Sequence, residues 1–269
     1  MSERRTASGT VISDVPVFIE DLNGEKRAKI ERTRPPNESR KIYMKTGLIT
    51  KADGSAYLEQ ERIKMVSAVY GPQQFRKATS FHSSARLNCE VKYASFALKQ
   101  RYSHNREIME KNMSMHLEAA ISPSIQLDTL PKSIIYLYVF ILEADGETST
   151  LAAAITCASA AIADASIECI DLVTGSAAVI NRERRLVMDP TDDDEIGKMF
   201  SVVVGYMAVK DELTELWSYG LGLDSKDESR IDYIIHRCIS MASDYRFVLN
   251  NAIMQKLEEQ LRLNELMQK

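Results

Sequence analysis

The sequence predicts an α+β fold in one compact body, and three observations predict it. Strand-like runs with period-two apolar alternation crowd residues 42–93. A long apolar strand at 133–143 leads into an alanine-rich helix at 149–164. An unbroken helical stripe from Ile231 to Val248 closes the chain. With 269 residues, 45% of them apolar, and no internal Gly/Ser-rich linker, the chain can bury one large core or two modest ones.

Residues 1–40 carry mixed charge and the Arg34-Pro-Pro-Asn37 break, and read as an extended arm. The body spans 41–250, with 251–269 as the end of the C-terminal helix. Strands are expected at 42–49, 55–59, 63–70 and 85–93, the last from alternating Leu87, Cys89, Val91 and Tyr93. Asp53-Gly54 reads as a hairpin turn with positive backbone angles. Val66, Ala68 and Tyr70 alternate before Gly71-Pro72 stops the strand. Asn105 opens a helix whose Ile108, Met109, Met113, His116 and Leu117 share a face, so His116 reads as a packed or half-exposed histidine and the methionines as core or interface. After the helix at 149–164 come strands at 173–180, 184–188, 200–207 and 212–218. Ser225-Lys-Asp-Glu228 then reads as a capping box for the final helix. Its later part, Leu257 to Met267, keeps a leucine stripe that packs on the body or meets a partner.

The longest apolar run, Ile134 to Leu142, is too short to cross a bilayer, and the amino terminus lacks an apolar signal core, so no membrane association is expected. Cys89, Cys157, Cys169 and Cys238 have no paired short spacing and sit among apolar neighbours, which favours buried thiols over disulfides or zinc. The four histidines lack metal-ligand spacing, and neither a Gly-x-Ser-x-Gly elbow nor a phosphate-cradling glycine loop is present. Hydrolase and NTPase chemistry, cofactors and metals are not expected. Net charge is −4, but residues 62–111 hold ten Lys/Arg against three Asp/Glu, while 112–269 hold thirteen against twenty-five. Such a segment makes either one positive face or scattered basic groups along a solvated sheet edge.

Two motifs carry a resemblance. The first is Gly47-Leu-Ile-Thr-Lys-Ala-Asp-Gly-Ser-Ala-Tyr-Leu-Glu59, running on to Ala68-Val-Tyr-Gly-Pro72. The second is Ile141-Leu-Glu-Ala-Asp-Gly146, followed by a helix ending Ile162-Ala-Asp-Ala165 and a strand resuming at Asp171-Leu-Val173. In this order and separation they resemble the RNase PH family, from about Ile42 to Leu249. Within it, Lys51–Glu59 and Met188-Asp-Pro-Thr191 look most like ring subunits of the eukaryotic RNA exosome. The resemblance implies an RNase PH-like fold, a β-α-β-α core related to the second domain of ribosomal protein S-five, with helices on one side of mixed sheets. It implies six such folds in a ring, either identical copies or heterodimers of two subclasses. For an exosome subunit it implies ring partners of both subclasses, RNA-binding cap subunits, associated hydrolytic nucleases, single-stranded RNA in a central channel, and a nuclear (including nucleolar) and cytoplasmic setting.

Active members are phosphorolytic, and the resemblance says where their groups would lie. An Arg sits beside the central helix, a second follows Ala-Asp-Gly in a Gly-Thr-Arg or Gly-Ser-Arg corner, and an Asp pair lies downstream. Here Arg106 matches the first. The corner reads Ala144-Asp-Gly-Glu-Thr-Ser-Thr-Leu151, and no arginine lies between Arg106 and Arg182. Glu147 and Ser149 stand in the would-be phosphate pocket, where the charge of Glu147 opposes a phosphate dianion. Asp192-Asp-Asp-Glu195 lies near the first Asp of the pair and reads as a solvated loop rather than a metal nest. Phe200 lies where the second acid should follow. With Glu147, Ser149, Glu195 and Phe200 at these places the site reads as degenerate, and a non-catalytic ring subunit is expected. The resemblance also sets Gln73-Gln-Phe-Arg-Lys77 at the channel neck, with Arg76, Lys77, Arg101 and Arg106 as candidate phosphate contacts. The rivals are an active phosphorolytic exoribonuclease and a scaffold that never touches RNA.

Overall fold

The computed structural model describes residues 32, 34–74, 83–98, 107–181, 183–220 and 228–267. The expectations for Phe75, Arg76, Lys77, Arg101, Asn105, Arg106 and most of the Ser225 capping box fall outside these residues. Nine strands and four α-helices follow in the order β1 (Tyr43–Thr46), β2 (Gly54–Gln60), β3 (Ile63–Gln74), β4 (Arg86–Tyr93), α1 (Glu107–Ile121), β5 (Ser133–Glu143), α2 (Glu147–Asp164), β6 (Val173–Ile180), β7 (Leu186–Met188), α3 (Asp192–Glu195), β8 (Phe200–Met207), β9 (Glu212–Gly220) and α4 (Glu228–Met267) among the described residues. The first sheet has the order β1-β2-β3-β5-β4, with β4 parallel to β5 and α1 as the crossover between them. The second is antiparallel, in the order β7-β6-β8-β9.

Helix α2 is the centre of the molecule, with Thr148 through Ile162 all buried. A helix apolar on every side needs cover on every side, and the two sheets provide it. Its alanines let the layers approach closely. Gly54 of β2 and Gly175 of β6 complete the fit, because a Cβ on Gly54 would stand 2.3 Å from the Ala161 carbonyl and one on Gly175 would stand 2.2 Å from that of Ala152. The polar groups of α2 serve the strands beside it. Thr156 Oγ1 accepts from Gly175 N at 2.9 Å, Ser159 Oγ accepts from Val173 N at 2.9 Å, and Ser67 Oγ donates to the Cys157 carbonyl at 2.8 Å. Buried donors therefore find acceptors without breaking the helix.

The second sheet is covered on both faces. Val173, Ala177, Val203 and Met207 join the core around α2, while Ala178, Ile180, Val202 and Val204 pack on Ile234, Cys238, Met241 and Tyr245 of α4. Strands buried on two faces read as continuous apolar runs, as β6 and β8 do. Helices thus flank one side of the first sheet and both sides of the second, where the resemblance implied one side only. Ile253 still packs on the core and Lys256 pairs with Asp164, but Leu257 and Leu261 beyond them are exposed, so this part of the leucine stripe does not pack on the body.

Several local expectations change. Gly54 has no positive φ; the left-handed residue of the β1–β2 connection is Gly47, at φ 76°. Asp53 instead accepts a hydrogen bond from Gly71 N at 2.7 Å. Strand β3 runs through Gly71-Pro72 to Gln74, because a register shift between Tyr70 and Gln73 absorbs the corner. Its inward face is Ile63, Met65, Ser67 and Val69, and Ala68 of the other face is buried as well. The thiols are buried or half-buried, and burial pushes Cys157 and Cys238 up to about 12 and Cys169 up to about 11, which leaves them protonated and unreactive.

Candidate functional site

The segment between β7 and β8 lies over the start of α2, held there by a buried ionic cluster. Arg40, fully buried, donates from Nη2 to Asp189 Oδ1 at 2.7 Å, from Nε to Asp189 Oδ2 at 3.0 Å and from Nη1 to Asp145 Oδ2 at 3.1 Å. Gln60 Nε2 donates to Asp189 Oδ2 at 2.9 Å, and Arg34 Nη1 lies 3.4 Å from the same oxygen. Burial alone would raise the Asp189 carboxyl, but the hydrogen bonds and charge of Arg40 outweigh it and hold Asp189 below the usual carboxylate range. Asp189 itself sits at φ 50°, a left-handed turn fixed by these bonds. The residues read as an arm therefore end, at Arg32 to Arg40, against the body.

This cluster delivers Glu195 to the amino-terminal turn of α2. Gly146, at φ 87°, ends the Ala-Asp-Gly corner and opens the helix. Thr148 donates to Glu195 Oε1 twice, from N at 2.9 Å and from Oγ1 at 2.6 Å, while Lys198 Nζ reaches Glu195 Oε2 at 3.2 Å. Ser149 Oγ is turned away to the Pro190 carbonyl at 2.7 Å. A helix amino terminus attracts anions through its free N–H groups and its dipole, and here a carboxylate of the same chain takes that place. The acidic run expected as a solvated loop is instead a capped helical turn. Thr191 and Asp194 form a reciprocal capping box, and Asp194 pairs with Arg32 at 3.0 Å. The Asp194 and Glu195 carboxylates have partners, Arg32 and Thr148, that lie far away in sequence, which is why the charge run looked solvated.

Beside this turn is a cavity of about 390 Å³. Asn112, Met113 and His116 line it from α1, Glu147 and Leu151 from α2, Trp217 and Tyr219 from β9, and Lys198 from the loop before β8. The helical spacing of 112, 113 and 116 and the alternation of 217 and 219 aim these side chains into one space. His116 Nδ1 lies 3.0 Å from Glu215 Oε1, and its ring packs on Trp217 with centroids 5.0 Å apart. Among the described lining residues Lys198 is the only fixed cation, and its ammonium is already paired with Glu195. Among the described residues no group of three or more His, Cys, Asp or Glu could hold a metal ion. The arrangement has the concavity of a substrate site, and among the described residues it presents no fork of donors for a phosphate.

Of the residues singled out in the sequence, Glu147 lines the cavity and Glu195 abuts it through Thr148 and Lys198. Ser149 is buried outside it, and Phe200 packs against the cluster under α4 rather than facing it. Sequence reasoning missed Trp217, Tyr219 and Lys198 as lining residues. The alternation of Glu215, Trp217 and Tyr219 along β9 carried that signal.

The comparisons agree with this architecture. A family model described as the 3′ exoribonuclease family, domain 1 (RNase PH) matches residues 38–168. The exosome complex component mtr3 of Schizosaccharomyces pombe is 43% identical over 257 residues, covering 94% of this chain and 96% of that protein. MTR3 of Chaetomium thermophilum, likewise an exosome complex component, is 34% identical over 82% of this chain and 87% of its own length. The crystal structure of rice Rrp46 superposes with a TM-score of 0.70 at 18% identity, covering 81% of this chain and 97% of that one, a likeness of fold. The chain belongs to the RNase PH family.

Proposed function

We propose that the chain is a non-catalytic ring subunit of an RNA exosome. The observation that carries this reading is the Glu195 carboxylate on the amino-terminal turn of α2, where an active relative would hold phosphate. Removing a carboxylate from that turn, supplying a guanidinium and restoring a second acid would all be needed, and each such group is worth several kcal/mol of transition-state stabilisation, on the order of 3 kcal/mol. The similarity to two exosome components over most of the chain supports the assembly.

In this reading the partners are RNase PH-like subunits of both subclasses, RNA-binding cap subunits and hydrolytic nucleases that supply the chemistry. The setting is the nucleus, including the nucleolus, and the cytoplasm. The neck segment Gln73–Lys77 lines the channel, and Arg76, Lys77, Arg101 and Arg106 meet phosphates of single-stranded RNA without reading its sequence. Purification of the tagged chain from native extract tests the assembly, with RNase PH-like chains expected in the same particle. Recovery of a partner-free monomer with no associated RNase PH-like chain would count against it.

A further inference from the structure

We infer that the cavity between α1, α2 and β9 receives an arginine side chain from an extended segment of a partner polypeptide. The inference stands on the cavity alone and does not require the exosome reading. Charge around the cavity runs negative. Among the described residues Glu147 lines it with no ion-pair partner, while Glu195, paired with Lys198, and Glu215, bonded to His116, stand just behind the lining. A phosphate entering there would meet the Glu147 carboxylate, which no described cation neutralises, whereas a cation is drawn in.

The shape selects among cations. Trp217 and Tyr219 offer aromatic faces, on which a planar guanidinium stacks while its N–H fork reaches a carboxylate. A lysine ammonium, compact and strongly hydrated, gains less from such a wall. The cavity also continues. A second one, of about 810 Å³, shares Lys198 and Tyr219 with the first and extends past Met199, Ser218 and Gly220. Near the lining in sequence are two exposed apolar residues: Ile108, 80% exposed, one helical turn before Asn112, and Ile196, 78% exposed, two residues before Lys198. Two adjoining cavities with exposed apolar residues near them in sequence and a carboxylate in one suit a stretch of polypeptide better than a free amine.

Trp217 is the sole tryptophan of the chain, so fluorotryptophan incorporated into the full-length protein, alone or reconstituted with separately expressed unlabelled partners, reports on this wall through one fluorine resonance. The probes are acetyl-Gly-Arg-Gly-amide, its lysine counterpart, inorganic phosphate and a uridine oligonucleotide. The arginine peptide is expected to move the resonance saturably and more tightly than the lysine peptide, while phosphate and oligonucleotide leave it in place. Glu147→Gln should weaken the arginine peptide about three- to fivefold, and Lys198→Met should tighten it by a similar factor. The position of the resonance without peptide reports whether each variant is folded, and either variant alone decides the sign of the charge effect. No shift with the arginine peptide up to about 10 mM, an affinity unchanged in the folded variants, or a response to phosphate or oligonucleotide in place of the peptide would overturn the inference.

Discussion

Asp189 accepts from Arg40 through both its carboxylate oxygens, and through them it holds the segment that carries Glu195. Breaking a buried pair strands the other charge, so Asp189→Ala should lower stability by about 3–5 kcal/mol, read from urea unfolding. The pH dependence follows from the depressed carboxyl. Its contribution is complete above the unfolded value of about 4 and is lost as pH falls through the lower folded value. The gap in unfolding free energy between the native chain and Asp189→Asn should therefore be constant from pH 7 to about 5 and shrink below about 4. A gap that persists at acid pH would contradict the charge assignment. Asp189 was visible in the sequence as part of Met188-Asp-Pro-Thr191, but its partner was not, since Arg40 lies 149 positions earlier at the edge of what read as an arm. Glu195 was legible as an acid out of place; that it caps α2 depends on a contact with Thr148 across 47 positions.

At the scale of elements, the central helix was the most legible part, because its alanine run had one physical solution, burial between layers. The long strand β5 and the strands β6 and β8 were equally plain from their apolar runs. The Asp53-Gly54 pair was misread for an instructive reason. Its local pattern is that of a turn, whereas Gly54 is needed for close approach of the Ala161 carbonyl, a tertiary demand that a window of neighbours does not contain. The corresponding expectation is direct: Gly54→Ala and Gly175→Ala each force backbone of α2 to move and should cost about 1–3 kcal/mol, measured by chemical denaturation. A neutral effect at both positions would mean that α2 sits farther from the sheets than described.

At the scale of the whole molecule, the architecture leaves apolar groups uncovered. Tyr138 and Phe140 on the open face of the first sheet and Met254, Leu257 and Leu261 along α4 are exposed. Groups of this kind are expected at contacts with other subunits. The chain expressed alone should self-associate, and co-expression with a ring partner should yield a soluble complex, as light scattering would show. In the assembled ring, exchanging Arg76 and Lys77 for Glu should preserve assembly, weaken single-stranded RNA binding and flatten its salt dependence in proportion to the phosphates released. Unchanged affinity and slope would favour a scaffold without RNA contact at the neck. The most direct test of the central claim is phosphorolysis. The assembled complex containing this chain, given single-stranded RNA, magnesium and inorganic phosphate, should release no nucleoside diphosphate attributable to the cavity beside α2. Sustained release that is abolished by Lys198→Ala in this chain, with the ring intact, would contradict it.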